Sequence, residues 1–181
     1  QYDITSVKVL SNDNLEVGTW TDNSDDASSF EGSTFNMFSG TAANNCFYVG
    51  RSQKLYGIKI DVTTALTSSI THDDIIWEYW DGTSWTELYV MYNDAESPYY
   101  QPSGPCFNTA SKYQIRFGTT SNTNFALKTI ETFEKYWVRC RVINTLPSNC
   151  SLEYVKVHAN QKTNNKDGYT EYFGNARLAR E

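Results

Sequence analysis

The chain has 181 residues and a formal net charge of −6, with 15% aromatic, 39% hydrophobic and only 20% charged residues. So many aromatics on so little charge exclude intrinsic disorder, and the shortage of Ala, Glu, Lys and Leu excludes a coiled coil. An acidic chain without a Lys/Arg run does not suit phosphate backbones, and no apolar stretch approaches the ~18 residues of a membrane-spanning helix.

Apolar and polar residues alternate with a period of two almost everywhere. Ile4, Val7, Val9 and Leu10 open a first strand region, followed by Leu15–Val17 as a second. Residues 21–29 read as a polar loop, and Phe30, Phe35, Met37 and Phe38 restore apolar spacing. After a loop at 40–45 comes a short strand at 46–49, and then a run at 55–62 with Tyr56, Ile58, Ile60 and Val62 on one face. Two aromatic runs, 75–80 and 85–91, flank Asp81-Gly82-Thr83-Ser84. Asp-Gly between alternating runs predicts a hairpin, because glycine accepts a positive φ without steric cost. Pro98, Pro102 and Pro105 make 93–111 an irregular connection, and Tyr113, Ile115 and Phe117 form a strand. Leu127, Ile130 and Phe133 give 127–135 the only helical spacing. In 136–143, Tyr136, Val138, Cys140 and Val142 face one way, and Trp137, Arg139, Arg141 and Ile143 the other. Leu152, Tyr154, Val155 and Val157 form the last strand.

Short strands separated by turn signals predict an all-β sandwich or barrel over residues 1–158. Residues 159–181 change character: a polar, turn-rich stretch precedes scattered Tyr169, Tyr172, Phe173, Arg177 and Arg180. This reads as an extended C-terminal arm whose five named residues are assembly contacts. The chain opens on Gln1 rather than Met, which reads as a processed or partial chain and fits secretion and virion maturation equally.

Three segments carry a resemblance: Tyr56-Gly-Ile-Lys-Ile-Asp61, Trp77-Glu-Tyr-Trp-Asp-Gly-Thr-Ser-Trp-Thr-Glu-Leu88 and Tyr136-Trp-Val-Arg-Cys-Arg-Val142. Within residues 46–143 they resemble the jelly-roll, discoidin-like domains of tailed-virus structural proteins: tail, baseplate or capsid-decorating components. The resemblance implies an all-β, antiparallel jelly-roll-type β-sandwich and a place in a virus particle. It implies no ligand, since these motifs mostly determine the fold.

Candidate sites follow from residue type. Trp80, Tyr99 and Tyr100 are ligand-stacking candidates, because exposed aromatic rings pack on apolar sugar faces; Trp77 and Trp85 read as core. Asp22, Asp25 and Asp26 could offer oxygens to calcium, although Ala27 stands where a calcium loop needs its turn glycine; a solvated acidic loop is the simpler reading, and no metal is assigned. Cys46, Cys106, Cys140 and Cys150 allow three disulfide pairings or four buried thiols. Glu78 and Glu87 could oppose each other across the hairpin. Arg139 and Arg141 could pair with Glu131 or Glu134. No catalytic constellation and no cofactor motif is present in the sequence.

The expectation is a non-enzymatic structural protein of a virus particle. It would decorate a capsid or build a neck, tail or fibre through contacts with copies of itself and other virion proteins. Sheet edges would offer a second route by accepting a neighbour's strand. The alternatives are a secreted carbohydrate-binding module recognising surface glycans, and a subunit of a cellular surface filament or layer.

Overall fold

Alternation of period two becomes thirteen strands and one short helix in a computed structural model that describes residues 7–28, 33–66, 70–71, 73–88, 90–93, 98–100, 107–117 and 124–158. In chain order they are β1 (Lys8–Asn12), β2 (Trp20–Asp22), α1 (Ser24–Ser28), β3 (Phe35–Asn36), β4 (Cys46–Arg51), β5 (Gly57–Thr64), β6 (Ile75–Trp80) and β7 (Trp85–Glu87). Then follow β8 (Val90–Asn93), β9 (Pro98–Tyr100), β10 (Lys112–Phe117), β11 (Leu127–Ile130), β12 (Phe133–Val142) and β13 (Ser151–His158). Among the described residues they form two antiparallel sheets. The first runs β2-β1-β4-β12-β6-β7, with β11 added to the start of β12, and the second runs β3-β13-β5-β10-β8-β9. The chain changes sheet at β2–β3, β3–β4, β4–β5, β5–β6, β7–β8, β10–β11 and β12–β13. This repeated crossing makes the all-β, antiparallel sandwich that the alternation allows and the resemblance implies.

The longer strands β4, β5, β6, β10, β12 and β13 bury one face between the sheets. Ile75, Trp77 and Tyr79 of β6 point inward beside Val138, Cys140 and Val142 of β12, and they meet Ile58, Ile60, Tyr113 and Ile115 of the second sheet. Trp77 is wholly buried, with its ring centroid 6.1 Å from that of Phe117 across the sandwich. Truncating a buried aromatic of this kind costs about 3–5 kcal/mol. The β6–β7 hairpin has the register the Asp-Gly signal implies: Trp80 pairs with Trp85 and Glu78 with Glu87. Gly82 closes its turn at φ 103°. Asp81 accepts hydrogen bonds from the Thr83 and Ser84 amides and from the Thr83, Ser84 and Thr86 hydroxyls. Those donors hold the Asp81 carboxyl well below the usual carboxylate range.

Four expectations need correction. Leu15–Val17 is a turn, because Leu15 and Glu16 take positive φ values that no strand allows. Residues 21–29 contain the end of β2 and the helix α1, whose Ala27 is buried and whose first turn holds Asp25 and Asp26. The 93–111 connection includes β9, which pairs with β8 at Asn93 and Pro98, an edge position that spares proline a ladder bond. Residues 127–135 are a hairpin, not a helix. Ile130 pairs with Phe133 across a two-residue turn entered by Glu131 at φ 53°, so the three-residue spacing reflects a tight reversal.

The edge strands β2, β3, β7 and β9 are two or three residues long. Edges this short offer little backbone to a neighbour's strand, so strand addition is the weaker route to assembly.

Candidate functional site: the outer face of the first sheet

A second cluster lies on the side of the first sheet away from the core. It forms because the outward positions of adjacent strands are large, where a sandwich surface ordinarily turns small polar residues outward. Leu10, Cys46, Tyr48, Ile130 and Trp137 are buried there, and Trp20, Trp85 and Phe133 pack half-buried against them. The tight packing has a structural requirement at Gly50, which stands opposite Trp137 in the β4–β12 register. A Cβ at Gly50 would sit 2.4 Å from Trp137 Cε3, so only glycine lets the indole lie flat on the strand.

A charge network runs through the cluster. Arg139 Nε donates to Glu78 Oε2 at 2.6 Å, and Arg141 donates through Nε and Nη2 at 3.1 and 2.9 Å. Arg139 Nη1 also reaches the Tyr48 hydroxyl at 3.5 Å. Glu78 and Arg139 are both nearly fully buried. Burial pushes the Glu78 pKa up, but hydrogen bonds and charge from Arg141 and Arg139 outweigh it and hold the carboxyl below its usual range. Burial raises Tyr48 and pushes the Cys46 thiol up to about 11. Glu78 therefore stays ionised and Cys46 protonated near neutral pH. Catalytic groups of these types are ordinarily shifted in the opposite directions.

The loop at 13–19 closes over this face. Asn12, itself wholly buried, accepts the Asn14 and Glu16 amides on Oδ1, each at 2.9 Å. Asp13 Oδ1 accepts the Thr19 amide, and the Leu15 amide donates to the Asn44 carbonyl. Glu16 then reaches across the sheet: Trp85 Nε1 donates to it at 2.9 Å, and Lys128 Nζ and Arg139 Nη1 lie 3.5 and 4.0 Å from it. These anchors hold Leu15 at φ 43° and Glu16 at φ 72°, conformations that cost L-residues about 1–2 kcal/mol each. The loop exposes apolar side chains outward: Val17 is 82% and Leu15 36% exposed.

Most of the aromatic surface is already in use. Lys128 Nζ lies 3.9 Å from the Trp80 ring centroid, and Arg139 Cζ lies 4.3 Å from that of Trp85. Trp85 also meets Trp80 and Tyr48 edge-on at 5.7 Å, and Trp20 leans on Tyr48 at 5.0 Å. Trp137 Nε1 donates to the Lys128 carbonyl. The arrangement is a small exterior core of rings that contact one another and nearby cations, rather than an open row of rings.

The stacking candidates are not brought together. Trp80 lies on the first sheet, and Tyr99 and Tyr100 on β9 at the far edge of the second, with side chains outside the described residues. Trp85 belongs to the exterior cluster and not to the inter-sheet core, because its register partner Trp80 points outward. Asp22 bonds Lys8 and the Ser24 amide and hydroxyl, and Asp25 and Asp26 start α1. Among the described residues no three His, Cys, Asp or Glu are grouped to hold a metal ion. Cys46 faces outward while Cys140 and Cys150 face the inter-sheet core, so Cys46 pairs with neither. Cys46 and Cys150 carry free thiols, and Cys106 lies outside the described residues. Arg139 and Arg141 pair with Glu78 rather than Glu131 or Glu134, because Arg139 stands directly opposite Glu78 in the β12–β6 register. Tyr169, Tyr172, Phe173, Arg177 and Arg180 lie outside the described residues. Glu16, Tyr48 and Lys128 join this face although none is among the candidates that residue type singles out. The outward sets Cys46/Tyr48/Gly50 and Glu78/Trp80, read beside Trp137/Arg139/Arg141, carried a signal for Tyr48. Nothing local pointed to Glu16.

No family model, no curated protein and no solved structure matches the chain.

Proposed function

We propose that the chain is a non-enzymatic structural component of a virus particle, of the tailed-virus kind its motifs resemble, and that it works by assembling with copies of itself and other virion proteins. The observation that carries this reading is the 13–19 loop: a backbone held at unfavourable φ values by at least five hydrogen bonds displays Val17 outward. A pre-ordered apolar contact loses little conformational freedom on docking, which favours association. The protonation states of Glu78 and Cys46 support a role without acid–base or thiol chemistry. The second reading, a carbohydrate-binding module, is favoured by half-buried Trp20 and Trp80 on one face. Against it, Lys128 already covers one face of Trp80.

Sedimentation velocity of the full chain over a concentration series, run beside a glycan array, tests the proposal. Concentration-dependent assembly with a silent array supports it. A monomer at every concentration that binds glycans overturns it in favour of the module.

A further inference from the structure

Most hydrogen bonds of the 13–19 loop are local. Asn12 Oδ1 accepts the Asn14 and Glu16 amides, the Asn14 carbonyl accepts the Val17 and Gly18 amides, and Asp13 Oδ1 accepts the Thr19 amide. Bonds within residues 12–19 shape the loop but do not tie it to the strands it covers. Among the described residues, two loop positions make that tie. The Leu15 amide donates to the Asn44 carbonyl, and Glu16 turns its carboxylate back onto β7, β11 and β12 between the exposed Leu15 and Val17. It meets an indole N–H and two cations there: Trp85 Nε1 at 2.9 Å, Lys128 Nζ at 3.5 Å and Arg139 Nη1 at 4.0 Å.

The closed loop carries two costs. Leu15 and Glu16 hold positive φ, and Asn12 Nδ2, on a wholly buried side chain, has no hydrogen-bond partner. A buried unpaired donor is penalised relative to one that water reaches. The Glu16 contacts offset these costs, and they are the contacts that hold the loop down. Cys46 lies beneath. It faces outward on β4 directly opposite Asn12, is wholly buried, and its Sγ donates at 3.4 Å to the same Asn44 carbonyl that holds Leu15. Cys150 lies in the inter-sheet core instead.

We propose that the 13–19 loop is a strap latched by Glu16, and that releasing the latch lifts the loop, uncovers Cys46 and withdraws the Val17 contact. The inference rests on the assembly reading and names what controls that contact: a carboxylate carried on the loop and seated on donors from three strands.

Thiol labelling of the full chain, resolved cysteine by cysteine by peptide mass, tests it on wild type, Glu16→Gln and Glu16→Ala. The first variant keeps an acceptor for Trp85 and loses the charge; the second loses both. Native Cys46 should label about tenfold faster in Glu16→Gln and faster again in Glu16→Ala, with Cys150 at its wild-type rate. The Cys150 rate separates a lifted loop from an unfolding sandwich. In sedimentation velocity both variants should assemble more weakly than wild type, in the same order, although Val17 is unchanged. Equal Cys46 protection in all three proteins overturns the latch and leaves the assembly reading standing. Cys46 and Cys150 labelling that rises in parallel also overturns it, since Glu16 then holds the whole sandwich and not the loop. Cys46 uncovered with assembly unchanged overturns the control of the contact. Cys46 uncovered in the variants of a wild type that stays monomeric at every concentration supports the strap and overturns the assembly reading.

Discussion

Glu78→Ala removes the carboxylate on which two arginines converge. Three charge-assisted hydrogen bonds, at 2.6, 2.9 and 3.1 Å, disappear together. The Arg139 side chain is only 8% exposed, so water cannot readily replace Glu78, whereas Arg141 at 24% recovers part of its hydration. Stranding a buried charge in this way costs about 3–5 kcal/mol. For a domain of this size that lowers Tm by roughly 6–20 °C. Glu78→Gln keeps the volume and one acceptor but loses the charge, and should cost roughly 1.5–3 kcal/mol. The pH dependence has a definite sign. Because the folded Glu78 pKa is depressed, its contribution is complete above the unfolded value and fades as pH falls through the lower folded one. Wild type should therefore lose stability on acidification below pH ~4.5, with a component missing in Glu78→Gln. Urea unfolding across pH measures both effects. A Glu78→Ala loss under about 1 kcal/mol, within the range of an exposed pair, would refute the argument that this network is buried and interdependent.

Three further outcomes follow from the same structure. Gly50→Ala should destabilise by about 1–3 kcal/mol in urea, since its Cβ overlaps the Trp137 ring; an unchanged midpoint would mean that the indole does not lie on β4. Asp81 should titrate well below the usual carboxylate range when followed by carboxyl carbon NMR, and a midpoint near 4 would show that the turn does not hold its five donors. Cys46 and Cys150, whose pKa values burial pushes up to about 11 and about 12, should resist a thiol reagent in the native protein and react once it unfolds; rapid native labelling of either would contradict their burial.

The strands that carry the core could be read in the sequence because one face of each is buried and the period of two is explicit, as in Ile58, Ile60 and Val62 or Val138, Cys140 and Val142. The Asp81-Gly82 hairpin was equally plain, since a positive φ at one position selects glycine. The exterior cluster was harder to see. Trp137, Arg139 and Arg141 were visible as a face, but their partner depended on which strand lay beside β12, and a register between residues 61 positions apart leaves no local trace. Glu16 enters through a turn whose backbone is set by Asn12 and Asn44, so its three partners follow from tertiary contacts alone. The 127–135 hairpin misled for a related reason. A two-residue reversal brings Ile130 and Phe133 together at a spacing that a helix also produces.

The central claim is that the 13–19 loop is a pre-ordered apolar contact of an assembling protein. Val17→Asp tests it most directly, because a side chain that is 82% exposed contributes little to folding and much to any interface built on it. Sedimentation velocity of wild type and Val17→Asp at matched concentrations is the measurement. The account predicts that wild type forms higher species while Val17→Asp stays a folded monomer with an unchanged urea midpoint. Identical assembly by the two proteins, or a wild type that never leaves the monomer, would contradict it.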